Sequence, residues 1–425
     1  MTMRRRTFLQ GCCSGIIAMS GSHLGNLVFG QGGSTNRDIL VTVFLRGGMD
    51  ALSLLSPFND PNYLAGRTRL ALPGNQVLAI DGYFGLHPSA TALKTMYDNK
   101  HLALIPACGF PEANRSHFDA QDSMERGKVG DSARLGDGWI ARHLNNFRTN
   151  AVFQGVTFSS TVDTSLEGFS GGLALSDAGD FTLYTGWNQG DDIRRALRTM
   201  YAYDGDLGDV VKRTLDASDL IDANPPDAYV PQNGVVYPDT GFSDTMKSLA
   251  QLIRMNVGLE AATVDLGGWD THESQAYYGS PTQGYFSGMI QQLSGGLGAF
   301  WNDLADFHGK LTVVVMSEFG RRLKENDNIG TDHGHGGLMM VISSNVSQKK
   351  VWGTWPGLDN DQLTEHVDLR VTTDFRTILA EILAARRGQT DVATLFPGFT
   401  YDSPLGIFGA SPVSVRSSIE DWARY

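Results

Sequence analysis

DILVTVFLRGGMD, residues 38–50, decides the fold. Residues 38–45 form an almost unbroken apolar run rich in β-branched side chains. Such a run does not alternate, so it reads as a strand covered on both faces, the mark of a parallel sheet inside an α/β layer. Polarity returns abruptly at Arg46-Gly47-Gly48-Met49-Asp50. The same design recurs along the chain. Residues 101–109 (HLALIPACG), 261–268 (AATVDLGG), 311–320 (LTVVVMSEFG) and 337–344 (GLMMVISS) read as further buried strands. Between them lie segments of helical period: 89–99, 116–127 with a serine cap and a closing glycine, about 283–308, and 372–388. Strands alternating with helices imply an α/β fold with a mostly parallel central sheet and helices on both faces.

The chain has 425 residues, 41% hydrophobic and 19% charged, enough for one large domain. The net charge of -12 excludes a general nucleic-acid binder, which needs a basic face. Residues 1–30 read as an export signal: a basic start, a mildly apolar stretch and a polar tail. Within it, Arg5-Arg6-Thr7-Phe8-Leu9 follows the twin-arginine pattern, so the twin-arginine translocase is an expected partner. The apolar stretch is too short for stable membrane insertion, and a periplasmic or extracellular location is expected. With Cys12 and Cys13 in the signal, Cys108 alone remains, so no internal disulfide is expected. Residues 31–425 read as a single domain. The stretch from about 150 to 240, rich in Gly, Ser, Thr and Asp, reads as an irregular insertion.

In open α/β sheets, ligands bind beyond the C-terminal ends of the strands. The polar clusters of this chain fall there. Asp50 follows the first strand. Arg115, Ser116 and His117 follow the second, Asp270 and His272 the third, and Glu318 the fourth. Asp332, His333 and His335 precede the next strand in GTDHGHGG (330–337). Carboxylates and imidazoles are ligands for divalent ions such as Zn, Mn or Ca. Glycines let the backbone turn and approach closely. Taken singly, each residue has a plainer reading. Asp50 suits a helix cap, Glu318 an ion pair with Arg321 or Arg322, and Ser116 a helix N-cap. Taken together at one rim, they point to a metal site. A serine at a helix N-terminus beside a divalent ion also has the makings of a nucleophile, with Arg115 as an anion clamp. Trp187 and Trp269 could line a sugar or aromatic group, but surface or core tryptophans are the plainer reading. No phosphate loop, serine-hydrolase elbow or dinucleotide fingerprint is present.

The twin-arginine start, FLRGGMDALSLLSP, NRSHFDAQDSMERG, GWDTH, MSEFGRR and DHGHGG occur in that order. In this they resemble the exported bacterial proteins of the domain-of-unknown-function 1501 family, itself similar to the alkaline phosphatase and sulfatase superfamily. The resemblance implies an alkaline-phosphatase-like fold, metal at the strand ends, and hydrolysis of phosphate or sulfate esters, with an anionic ester as substrate. It implies Asp50, Asp270, His272, Glu318, Asp332, His333 and His335 as metal ligands and Ser116 as nucleophile; Arg115 beside it is placed to take the charge developing on the transferred group, and His117, directly after Ser116, to supply a ligand or an acid. The chain departs from the superfamily pattern in three places. Asp50 comes several residues after its strand, where the superfamily's aspartate usually comes at once. Asp270 and His272 are separated by a single residue, and SEFG stands where an aspartate–histidine pair is expected. A non-catalytic envelope binding or assembly protein on the same fold is the alternative. An Fe- or Mn-dependent oxidoreductase is a third reading.

Overall fold

The computed structural model describes residues 38–129, 136–149, 151, 153–175, 190–203, 205–225 and 228–409; residues 1–30, read as an export signal, and Trp187 lie outside them. Ten strands matter here. They are β1 (Ile39–Leu45), β2 (Leu102–Gly109), β3 (Gly155–Phe158), β4 (Gly172–Ala174), β5 (Ala261–Leu266), β6 (Leu311–Met316), β7 (Arg321–Glu325), β8 (Thr331–His333), β9 (Gly337–Ile342) and β10 (Thr373–Asp374). Eight of them form one sheet in the order β10-β2-β9-β6-β1-β5-β3-β4. β1 runs parallel to β5 and β6, while β9 runs antiparallel to both its neighbours, β2 and β6. The sheet is therefore mostly parallel, with one reversed strand inside it.

The helices are α1 (Thr91–Asp98), α2 (His117–Arg126), α3 (Trp139–Asn145), α4 (Gly190–Met200), α5 (Gly205–Asp222), α6 (Gly241–Arg254), α7 (Tyr285–Asp303) and α8 (Phe375–Arg387). They cover both faces. Successive side chains of a strand point to opposite faces. In β1, Val41, Val43 and Leu45 share a core with Leu93 of α1, Leu249 of α6 and Leu293 of α7. Leu40 and Phe44 share the other core with Met124 of α2, Ile140 of α3 and Ile378 of α8. All seven residues of β1 are buried, which is why its sequence shows no alternation. The stretch from 150 to 240 supplies β3 and β4 at one edge of this sheet and the helix pair α4 and α5.

Reversal of β9 has a direct effect on the site. A segment that precedes a parallel strand lies at the sheet's N-terminal rim. Because β9 runs backwards, the hairpin β7–β8 leading into it sits at the C-terminal rim, beside the ends of β1, β5 and β6. That brings Asp332 and His333 to the same rim as Asp270.

Candidate metal centre

α2 begins at the rim. Ser116 caps it by accepting from Asp119 N, and Gly127 closes it in the left-handed conformation (φ +62°). His117 therefore sits in the first turn, and Gln121 lies one turn on, on the same face. Both reach Glu318, just past the end of β6. His117 Nδ1 lies 2.7 Å from Glu318 Oε1, and Gln121 Nε2 donates to the same oxygen at 2.8 Å. Gly47 N donates to it at 2.9 Å. Glu318 is fully buried. Burial alone would raise its pKa, but these hydrogen bonds outweigh it and hold the carboxyl below its ordinary range. In turn, the hydrogen bond that His117 donates to the Glu318 carboxylate raises the His117 pKa.

Three imidazoles and a carboxylate meet above this support. His117 Nε2 lies 3.0 Å from His333 Nε2, and His272 Nε2 lies 2.9 Å from His333 Nε2. Asp270 Oδ1 lies 3.1 Å from His272 Nε2 and 3.2 Å from His333 Nε2, and its Oδ2 is 3.4 Å from His117 Nε2. His117, Asp270 and His333 offer ligand atoms that all lie within 4.8 Å of one another.

The other nitrogen of each ring faces a group that only accepts. His117 Nδ1 faces the Glu318 carboxylate, His333 Nδ1 the Arg115 carbonyl at 2.9 Å, and His272 Nδ1 the Asp332 carboxylate at 3.4 Å. With the proton on Nδ1, each ring turns an Nε2 lone pair inward. In that tautomer the three lone pairs and the Asp270 carboxylate form a donor set that a cation would hold. Donors held about 2.1 Å from one ion lie about 3.0–3.4 Å apart at adjacent coordination positions, and the observed spacings match. Histidine ligands whose second nitrogen is tied to a carboxylate or carbonyl are the usual surroundings of a bound metal.

Arg321 organises the floor. Its side chain is wholly buried and donates to the carbonyls of Gly48 (2.6 Å) and Thr331 (2.7 Å), to those of Gly47 and Trp269, and to Asp270 Oδ1 (2.5 Å). One guanidinium thus ties together the three loops that carry the site. Burial would raise the Asp270 pKa, but Arg321 lowers it on balance. The glycines serve the same packing. A Cβ on Gly47 (φ +121°) would lie 2.5 Å from Asp270 N, and one on Gly320 would lie 1.9 Å from Gly336 O. Glycine walls the histidines because backbones touch there.

Other residues singled out by sequence fall elsewhere. Asp50 is fully buried and pairs with Arg67 (2.5 and 2.9 Å), Ser53 and Gln275 rather than with the cluster. His335 turns away, with Nε2 2.8 Å from the Phe110 carbonyl and Nδ1 3.2 Å from Thr364 Oγ1. Glu318 and Asp332 stand behind histidines. Ser116 is half-buried, and the hydrogen bond to its Oγ is long, at 3.5 Å. The Arg115 guanidinium is held by Asp368 and Glu365. Trp269 is fully buried against Phe286, not displayed to solvent. Sequence reading gave no role to Gln121, Gln275 or the buried side of Arg321. The four-residue spacing of His117 and Gln121 was the one available signal for the first.

The family described as "Protein of unknown function (DUF1501)" matches the chain over residues 37–395. No curated protein matches it. Among solved structures, the chain is similar to the C-terminal periplasmic domain of EcEptC from Escherichia coli in complex with Zn. That likeness has 6% identity, covers 73% of this chain and 74% of that one, and has a TM-score of 0.37. It is also similar to the lipoteichoic acid synthase LtaP from Listeria monocytogenes, with 9% identity, 88% and 75% coverage, and a TM-score of 0.35.

Proposed function

Starting from a chain that belongs to the DUF1501 family, whose description assigns no function, we propose an exported, metal-dependent hydrolase of phosphate or sulfate esters. One observation carries the metal centre: the Nε2 atoms of three histidines and the Asp270 carboxylate converge through contacts of 2.9–3.4 Å. His117, His272, His333 and Asp270 would hold the ion. Glu318, Asp332 and the Arg115 carbonyl would orient the three rings. Imidazole-rich sets suit Zn, Mn or Fe better than Ca, which takes oxygen ligands. A bound divalent ion supplies Lewis acidity and brings a water's pKa down to about 7.

The chain's own part is orientation and access. Glu318 and Arg321 are buried beneath the cluster, whereas the Asp270 and His272 side chains are 46% and 45% exposed. Substrate approaches from that open side. Ser116 adjoins His117 in sequence, and its hydroxyl proton is not engaged by the weak cap bond, so it is the candidate nucleophile beside water. Attack by the Ser116 hydroxyl or by water breaks the bond from phosphorus or sulfur to the alcohol oxygen, and the alcohol leaves with the proton that the attacking O–H gives up; a Ser116 ester formed in this way is then cleaved by water.

Elemental analysis of the natively exported protein tests the centre. About one equivalent of Zn or Mn, lost in Asp270→Ala/His333→Ala with the fold kept, supports it. Full occupancy in that double variant sinks it. Hydrolysis of aryl phosphate and sulfate esters then tests the reaction. Iron would support a second reading, an oxidoreductase, which the three-imidazole, one-carboxylate set suits as well.

A further inference from the structure

We propose that the reacting group of the substrate carries a single negative charge, as in a sulfate monoester or a phosphodiester, and not the two charges of a phosphate monoester. This rests on the hydrolase reading above. A divalent ion would bring two positive charges and Arg321 one more. Asp270, Glu318 and Asp332 bring three negative charges, each in contact with a site histidine. The centre is then formally neutral.

The guanidiniums around it leave no surplus to offer. Arg115 is matched by Asp368 and Glu365, and Arg322 lies 3.9 Å from the same Asp368. Arg46, at the end of β1, is surrounded by Glu125, Asp163 (3.1 Å) and Asp265 (2.7 Å). Gln121 joins that acidic group to Glu318, since it accepts from Arg46 and donates to Glu318. Arg67 is consumed by Asp50. The second charge of a dianion would meet these carboxylates without a cation of its own, at a cost that grows as water is excluded. The rest of the chain points the same way, with a net charge of -12.

The experiment is calorimetric titration of the metal-loaded protein with two ligands that are not esters of the hydrolysable kind. One is phenylphosphonate at alkaline pH, where it is a dianion. The other is methyl(phenyl)phosphinate, which has no ester bond and is a monoanion of nearly the same shape. A free metal ion prefers the dianion, so the expected result is distinctive: the monoanion binds at least as tightly. Asp332→Asn keeps the oxygen that faces His272 and removes one negative charge. It should shift the ratio of affinities about tenfold toward the dianion when both proteins are held saturated with metal. A dianion that binds more tightly to the unaltered protein overturns the charge inference and leaves the hydrolase reading standing. If neither ligand binds and no ester is turned over, the hydrolase reading itself fails. Turnover of an aryl sulfate against an aryl phosphodiester then separates the two sources of the single charge.

Discussion

Replacing Glu318 by glutamine isolates the contribution of one buried negative charge to the metal centre. Glutamine fits the space. With its oxygen in the place of Oε1, it still accepts from His117, Gln121 and Gly47. Its new amide group meets Ser317 Oγ, which already donates to the Leu45 carbonyl and so has room to accept. The fold should therefore survive. What changes is the bond to His117. A hydrogen bond to a charged group is worth roughly 1.5–3 kcal/mol and a neutral one roughly 0.5–1.5. Loss of the charge also makes the ring a poorer donor to a cation. Substitutions behind a ligating histidine cost about 10–100-fold in metal affinity, or about 1.4–2.7 kcal/mol, and Glu318→Gln should fall in that range. Competition with a chromophoric chelator measures it. The pH dependence has a definite sign. Glu318 holds the His117 pKa up, so protons compete with metal at this ring more in the native protein than in the variant. The gap between the two affinities must therefore narrow as pH falls. Unchanged affinity, or a gap that widens toward acid, would refute the role given to Glu318.

Other outcomes follow from the same geometry. Arg321→Met leaves buried carbonyls and Asp270 without their donor, and should destabilise the fold by about 3–5 kcal/mol in urea unfolding. A loss under about 1 kcal/mol would mean that the guanidinium does not hold the rim together. Asp50→Asn should cost a similar amount by stranding the buried Arg67, yet leave metal stoichiometry intact; lost metal in a folded Asp50→Asn protein would make Asp50 a ligand after all. In chelator-treated protein, the lowered pKa values of Glu318, Asp270 and Asp332 contribute stability that is present above the ordinary carboxylate range and lost as pH falls. The raised pKa of His117 acts in the opposite sense, present below about pH 6.5 and lost as pH rises through its folded value. The lowered pKa values of His87, His333 and His335 act with the carboxylates, so without metal the melting temperature should fall as pH drops through about 6.5. Protons compete with metal for the site histidines, so added metal should raise the melting temperature more above that pH than below it, and an equal rise at both would contradict His117 as a ligand.

Most of the sheet was legible in the sequence because its strands are short apolar runs bounded by polar turns. β1, β2, β5, β6 and β9 lie within the stretches read as strands, and α2 begins at the serine expected to cap it. Reversal of β9 was not legible, since a strand buried on both faces has the same pattern in either direction. Rim residues could be nominated because polarity returns at strand ends. Their individual aim could not. Asp50 comes several residues after its strand and points at Arg67, seventeen positions on, a pairing set by tertiary packing. His333 and His335 differ by two positions, yet one faces the cluster and the other the Phe110 carbonyl. Between them, the Gly334 backbone lies so close to Arg321 that a Cβ there would approach its carbonyl carbon to 2.4 Å.

The reversed strand also bears on how the protein comes apart. It puts His333 against His117 although 216 positions of chain separate them, and His272 comes from a third region 61 positions from His333. An ion held by all three acts as a removable rivet through distant parts of the chain. Helix α2 and the hairpin β7–β8 cannot swing away from β5 without releasing it, so each local opening becomes more costly as free metal rises above the dissociation constant. Proteolytic nicking and amide exchange along this rim would then report the metal supply of the surrounding medium, while the far end of the sheet remained indifferent to it.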